Sequence, residues 1–201
     1  MPKKIRESRE ELRNAMIATA ERVIVSDGVT ALTARRLASE LGIAVGTTYN
    51  VFKDMSSLVE EVNALTIARI TEGISGVDAS AGSDEDILMC YADAYIGFVT
   101  ENQNLWAALF HGEVHPDSPS HQRNLANTLK LFGFLETTLS SIAPQADKET
   151  VAASARALWA AVHGMLSLVA GNRHVILGLG DIRETIRVLV HNHVAGMRAG
   201  S

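Results

Sequence analysis

Apolar residues recur every three or four positions along most of this chain, with no run of strict alternation, so the pattern predicts helices and no strands. Leu12, Met16, Ala20, Val23 and Ile24 mark a first helix. It opens at Ser8 and Glu11, which have capping-box spacing, and stops at Asp27-Gly28. Thr33 is placed to cap a short helix from Ala34 to Leu41, Gly42 ends it, and a third helix runs from about Val45 to Val51. A long helix starts near Asp54. Its first half sets Leu58, Val62 and Leu65 on one side and its second half sets Ile67, Ile70 and Ile74 on the other, so it can pack on two bodies in turn.

After a small, polar connection, Ser83 and Asp86 form a capping pair for a helix over 84–101 with Ile87, Tyr91, Ala94, Tyr95 and Phe98 inside. "NLWAALFHG" is a short apolar helix and "EVHPDSPS" a loop. Residues 120–142 resume helical spacing through Leu125, Leu129, Phe132, Leu135 and Leu139, and Pro144 breaks it. Helices over 148–170 and 181–197 follow, separated by "GNRHVILGLGD"; the last carries Ile182, Ile186, Leu189, Val190, His193 and Met197 on one stripe. The expected fold is all-α, about nine helices, with a head at 1–54, a linking helix at about 55–75 and a body at 76–201.

Composition supports a packed core: 47% of the 201 residues are apolar and only 4 are proline. The single cysteine, Cys90, allows no intrachain disulfide, and no apolar leader follows the polar N-terminus, so a cytoplasmic setting is expected. The longest apolar stretch, 151–171, contains Arg156 and His163 and reads as a buried helix rather than a membrane span.

Charge is unevenly placed along the chain. The net charge is −5, yet residues 1–53 hold nine Lys/Arg against six Asp/Glu, and the remainder holds nine against seventeen. A basic head on an acidic body suits nucleic-acid binding by the head alone. The head also has the parts of a helix-turn-helix. Ala38 is small where two helices cross, Gly42 can take positive φ in the turn, and Leu37, Leu41, Ile43 and Phe52 can bury the unit. That leaves Arg35, Arg36, Val45, Gly46, Thr47, Tyr49, Asn50 and Lys53 exposed, mostly short, polar or basic as a groove-facing surface requires.

"ALTARRLASELGIAVGTTYNVFKD" resembles the DNA-binding domain of the tetracycline-repressor (TetR, AcrR-like) family at Leu32, Thr33, Leu37, Ala38, Leu41, Gly42, Gly46, Thr47, Tyr49, Phe52, Lys53 and Asp54, within a resemblance that covers roughly residues 8–70. The resemblance implies phosphate contacts from Thr33, Thr47, Tyr49 and Lys53, and base-edge contacts at Arg35, Val45, Gly46 and Asn50. Two positions depart from common usage: Thr48 stands for a usual leucine, and Val51 for a frequent histidine or tyrosine. Val51 can touch a thymine methyl or pack inward.

One half-site offers few contacts, so a twofold dimer on a palindromic operator is expected. The last two helices are the dimer candidates, through Leu158, Val162, Met165, Leu166, Ile186, Leu189, Val190 and His193. "LWAAVHGMLSL" also resembles the C-terminal subgroup named for its Trp…His-Gly signature, here Trp159, His163 and Gly164. Tyr91, Tyr95, Phe98, Trp106, Phe110, Phe132, Trp159 and His163 could line an apolar effector cavity, although aromatic stripes at helical spacing more often fill a core. No cofactor is expected. Two rival readings remain: a DNA-binding regulator without a small-molecule effector, and a metal-binding helical enzyme using the region around His111 and His115. No Gly-rich phosphate loop, HExxH motif or nucleophile-base constellation supports the enzyme.

Overall fold

The computed structural model describes residues 9–78, 80, 82–112, 116–170, 178 and 180–200. Among them are nine α-helices, one 3-10 turn and no strand: α1 (Arg9–Asp27), α2 (Ala34–Leu41), α3 (Val45–Val51), α4 (Met55–Ser75), α5 (Asp84–Glu101), α6 (Gln103–Ala108), α7 (Pro119–Ile142), α8 (Lys148–Ala170) and α9 (Ile182–Ala199). Ser8, half of the expected first capping pair, and the loop residues 171–177 lie outside the described residues.

The caps explain where several helices begin. Thr33 Oγ1 accepts from Arg36 N at 3.2 Å, and Asp54 Oδ1 from Ser57 N at 2.7 Å. Asp147 does the same for α8 and Asp181 for α9. Ser83 and Asp86 make both bonds of a capping box, Ser83 N to Asp86 Oδ2 at 2.9 Å and Asp86 N to Ser83 Oγ at 3.3 Å. α7 starts on Pro119, where a missing N–H costs no helix bond, behind Ser118, whose Oγ accepts from His121 N.

The chain forms two compact units. The first comprises residues up to Ala68 together with Asn102–Leu125; the second comprises Arg69–Glu101 and Ala126 onward. α4 and α7 each contribute to both. In the first unit, Met16, Ala20, Val23 and Ile24 of α1 meet Leu37 of α2, Phe52, and Leu58 and Val62 of α4. Leu105 and Ala108 of α6 join the same core, so the short helix at "NLWAAL" packs with the head. Glu61, 8% exposed, takes ion pairs from both Arg13 and Arg123, tying α1, α4 and α7 together within this unit. Arg13 also lies 5.3 Å over the Phe52 ring.

In the second unit, α8 buries Val151, Ala155, Leu158, Val162 and Leu166, and α9 buries Ile186, Val190 and Val194. By length and composition α8 could cross a membrane, and only 28% of its apolar window is buried. Two expected stripes stop short. Leu65 of α4 is 43% exposed where Thr66 is buried, and Leu125 and Leu129 of α7 are exposed while Leu139 is fully buried. Periodicity marks a face that can be covered; it does not supply the neighbour that covers it.

Candidate nucleic-acid interface

The helix-turn-helix is built from α2 and α3. Gly42 closes α2 in the left-handed conformation, φ 64° and ψ 34°, which a side chain at that position would strain. Its N–H and that of Ile43 bond back to the last turn of α2, at Ser39 O and Ala38 O. Leu37 and Ala38 are buried on the inner side of α2, and Thr48 is buried on the inner side of α3. Thr48 Oγ1 has no hydrogen-bond partner there, the consequence of a hydroxyl where an apolar side chain would fit. Val51 packs against the head core, so it serves packing at the end of the helix.

What remains outward on α3 is Val45 at 41% exposure, Gly46, Tyr49 at 53% and Asn50, followed by Lys53 just beyond the helix. Tyr49 is therefore not a core aromatic; Phe52, 6% exposed, fills that place. Thr47 is half-buried. Gly46 has no positive φ, and a Cβ added to it would meet nothing within 4 Å. Arg9 donates to Asn50 O at 3.2 Å, placing a cation at the C-terminal end of α3, where the helix dipole favours positive charge. Arg9 lies in α1, 41 residues from Asn50, so the sequence carries no local sign of that contact.

The two arginines of α2 differ. Arg35 is exposed and has no ion pair among the described residues. Arg36 donates to Asp27 and to Glu40, and Glu40 also faces Arg22 at 3.6 Å. The guanidinium of Arg36, then the Ser26 hydroxyl, hold the Asp27 carboxyl below its ordinary range, while Asp27 and Glu40 hold Arg36 above its own. Arg36 thus spends its donors on neighbouring carboxylates, while Arg35 and Lys53 are exposed. Thr33 accepts the Arg36 amide with its oxygen and keeps its hydroxyl proton for another acceptor.

The residues expected at an effector cavity divide between the units. Trp106, buried, and Phe110, 58% exposed, lie in the first unit, with ring centroids 5.8 Å apart. In the second unit Phe132, Trp159 and His163 form one chain of ring contacts, 5.8 Å edge-to-face and 5.0 Å stacked. The Tyr95 hydroxyl lies 3.0 Å from His163 Nδ1, and partial burial holds this imidazole below its ordinary 6.5. Tyr91 pairs with Phe134 at 6.1 Å, and Phe98 is half-buried.

Of the residues expected at a dimer interface, Leu158, Val162, Leu166, Ile186 and Val190 are buried within the single chain. Met165, Leu189 and His193 are half-buried, and His193 Nε2 lies 2.7 Å from Ser154 Oγ. The open faces of these helices carry other residues: Ala153, Ala157, Ala160, Gly164 and Ser167 on α8, and Val188, Asn192, Ala195 and Ala199 on α9. Spacing alone could not tell the face that closes the chain's own core from the face left outside it.

Around His111 no group of three or more His, Cys, Asp or Glu side chains could hold a metal among the described residues. His115 lies outside those residues.

Comparison with known proteins agrees with this geometry. Residues 16–62 match the model described as bacterial regulatory proteins of the tetR family, and residues 88–192 match the one described as the tetracyclin repressor-like C-terminal domain. The C-terminal match is described at that level and not by the Trp…His-Gly signature. No curated protein matches the chain. Among solved structures, a protein of unknown function from Rhodococcus sp. RHA1 is similar at TM-score 0.72 and 18% identity, with 97% of this chain and 98% of that one covered. A possible TetR family transcriptional regulator from Streptomyces coelicolor A3(2) is similar at TM-score 0.67 and 15% identity, covering 94% and 100%. BioQ with its natural double-stranded DNA operator is similar at TM-score 0.64 and 16% identity, covering 93% and 98%. With both halves of the chain matched in order and an exposed recognition helix in place, the chain belongs to the tetracycline-repressor family of bacterial transcriptional regulators, with an N-terminal DNA-binding domain.

Proposed function

We propose that the chain is a ligand-responsive repressor that binds a palindromic operator as a homodimer and is released by a small, largely apolar effector. The observation that carries the DNA side is the outward face of α3, where Val45, Gly46, Tyr49 and Asn50 are all exposed, with Lys53 exposed just beyond the helix and Arg35 exposed on α2. Tyr49, Thr33, Thr47 and Lys53 suit phosphate oxygens; Arg35 and Asn50 suit base edges, and Val45 a thymine methyl. Arg36 contributes less than its charge suggests, because Asp27 and Glu40 already occupy its donors.

Dimerisation through α8 and α9 is supported by their open faces. Ala153, Ala157, Ala160, Gly164 and Ser167 repeat at intervals of four and three, a stripe small enough for a partner helix to approach closely, and Val188 is 54% exposed on α9. The effector reading draws on the Phe132, Trp159, His163 and Tyr95 group, an apolar surface with polar tips. An effector releases DNA only by its differential affinity for the state with misplaced heads. The test is selection of operators from random duplexes, repeated with apolar small molecules, followed by sedimentation of the complex. The proposal expects symmetric sites, two chains per duplex and at least one compound that lowers affinity. Asymmetric sites bound by one chain would overturn the dimer, and a compound that binds tightly without changing affinity would overturn release.

A further inference from the structure

α3 is seven residues long, too short to hold its own conformation in water, so its aim depends on what grips its ends. Its N-cap, Ala44, makes no side-chain cap bond. The C-terminal end is held from α1. Arg9 and Arg13 stand four residues apart on that helix, a spacing that puts both on one face. Arg9 donates to Asn50 O at 3.2 Å. The Arg13 guanidinium lies 5.3 Å over the ring of Phe52, the residue that closes α3, so two cations meet the negative end of this helix. Arg13 is anchored in turn. It donates to Glu61 Oε1, and Arg123 of α7 donates to Glu61 Oε2, so one buried carboxylate serves two guanidiniums with one oxygen each. All these residues belong to the first unit.

We propose that Arg9 and Arg13 are positioning residues that clamp the end of the recognition helix, and that Arg123 of α7 acts on base discrimination through Glu61 and this clamp. The inference rests on the reading of α3 as the helix that reads DNA. The clamp bears on the residue where discrimination is expected, because Arg9 bonds the carbonyl of Asn50, whose side chain suits a base edge. Glu61 offers one charge to two cations, so a change at Arg123 alters how firmly Arg13 is held. Glu61 and Phe52 are only 8% and 6% exposed, so their influence on DNA runs through the placement of α3 and not through contact with a duplex.

Anisotropy titrations of the full chain, on a selected operator and on duplexes altered at one base pair, give discrimination as a ratio of affinities, and a salt series gives the slope. Glu61→Gln keeps the shape of the side chain and removes the charge that holds Arg13. It should lower the ratio by roughly two- to thirtyfold, the range of such couplings, at an unchanged salt slope. Arg123→Ala, on a side chain 51% exposed, should lower the ratio with the melting curve kept, and Arg123→Lys should restore part of it. Arg9→Ala should lower the ratio too. If Glu61→Gln does not fold, the two exposed arginines decide. Unchanged discrimination in a folded Glu61→Gln, Arg123→Ala or Arg9→Ala would overturn the proposal. So would an equal change of affinity on every duplex, the mark of a phosphate contact or of general electrostatics. A wild type that favours no duplex over its altered forms would refute the reading of α3 and the clamp together, whereas an indifferent variant of a discriminating wild type refutes the clamp alone.

Discussion

Gly46→Ala separates what the fold needs from what DNA needs. Gly46 is the second residue of α3, its φ lies outside the left-handed region, and a methyl there would meet nothing within 4 Å. The folded chain therefore has no use for the missing side chain. Alanine restricts the unfolded chain and favours the helix, worth about 0.4–1 kcal/mol where the native backbone accepts it. In the first turn of a short helix the lower end applies, and about 0.5 kcal/mol in a chain of this size raises the midpoint by about 1–2 °C. On DNA the same methyl projects from the recognition helix into space that a groove-docked helix must share with the duplex. Overpacking by one carbon in a close contact costs about 1–3 kcal/mol, a loss of roughly 5- to 150-fold in affinity. Scanning calorimetry and fluorescence anisotropy on one duplex at fixed salt give the two numbers. A variant more stable than wild type that binds at least several-fold less tightly supports the docking face. Undiminished binding would refute it, and a loss of stability would refute the reading of the glycine.

Thr48→Val removes a buried hydroxyl without a partner and keeps its shape, so urea unfolding should show about 1 kcal/mol of added stability at unchanged m; a comparable loss would mean the hydroxyl is satisfied. Lys53→Ala should lower the salt dependence of DNA binding by about one charge while Arg36→Ala lowers it much less, and Asp27→Asn should strengthen binding by releasing Arg36; equal slopes for Lys53→Ala and Arg36→Ala would contradict the pairing. His163 and His193 both have imidazoles held below 6.5 by burial, so the unfolded chain takes up protons first as pH falls. Their contribution is complete above about pH 6.5 and is lost as pH falls through the folded values; a wild-type melting temperature flat or rising over that descent would contradict it.

Most of the helix-turn-helix was legible because its determinants are local. Thr33 and Ser83 are caps within three residues of their partners, and Gly42 is a turn signal followed immediately by its consequence. The inward turn of Thr48 and exposure of Tyr49 follow from helix periodicity once Phe52 is taken as core. What spacing could not supply was the distant partner. Asp27 reaches Arg36 across the bend between α1 and α2, whereas Glu40, one turn along α2, could have been read from the sequence. Leu105 and Ala108 carry the same apolar pattern whichever unit receives them, and only the fold assigns them to the head. The same limit explains α8 and α9. α8 is apolar around more than one face and α9 along one broad stripe, so the residues that close the chain's own core, such as Leu158 and Val190, look like those available to a second chain.

The central claim is that the outward face of α3 grips DNA, and Tyr49→Ala tests it most directly. Tyr49 is 53% exposed and absent from the head core, so its loss should leave the fold intact. Anisotropy titrations at fixed salt, on a selected operator and on a scrambled duplex, should show affinity falling on both by a similar factor, as expected for a phosphate contact. Wild-type affinity on both duplexes, from a variant with an unchanged melting curve, would contradict the account.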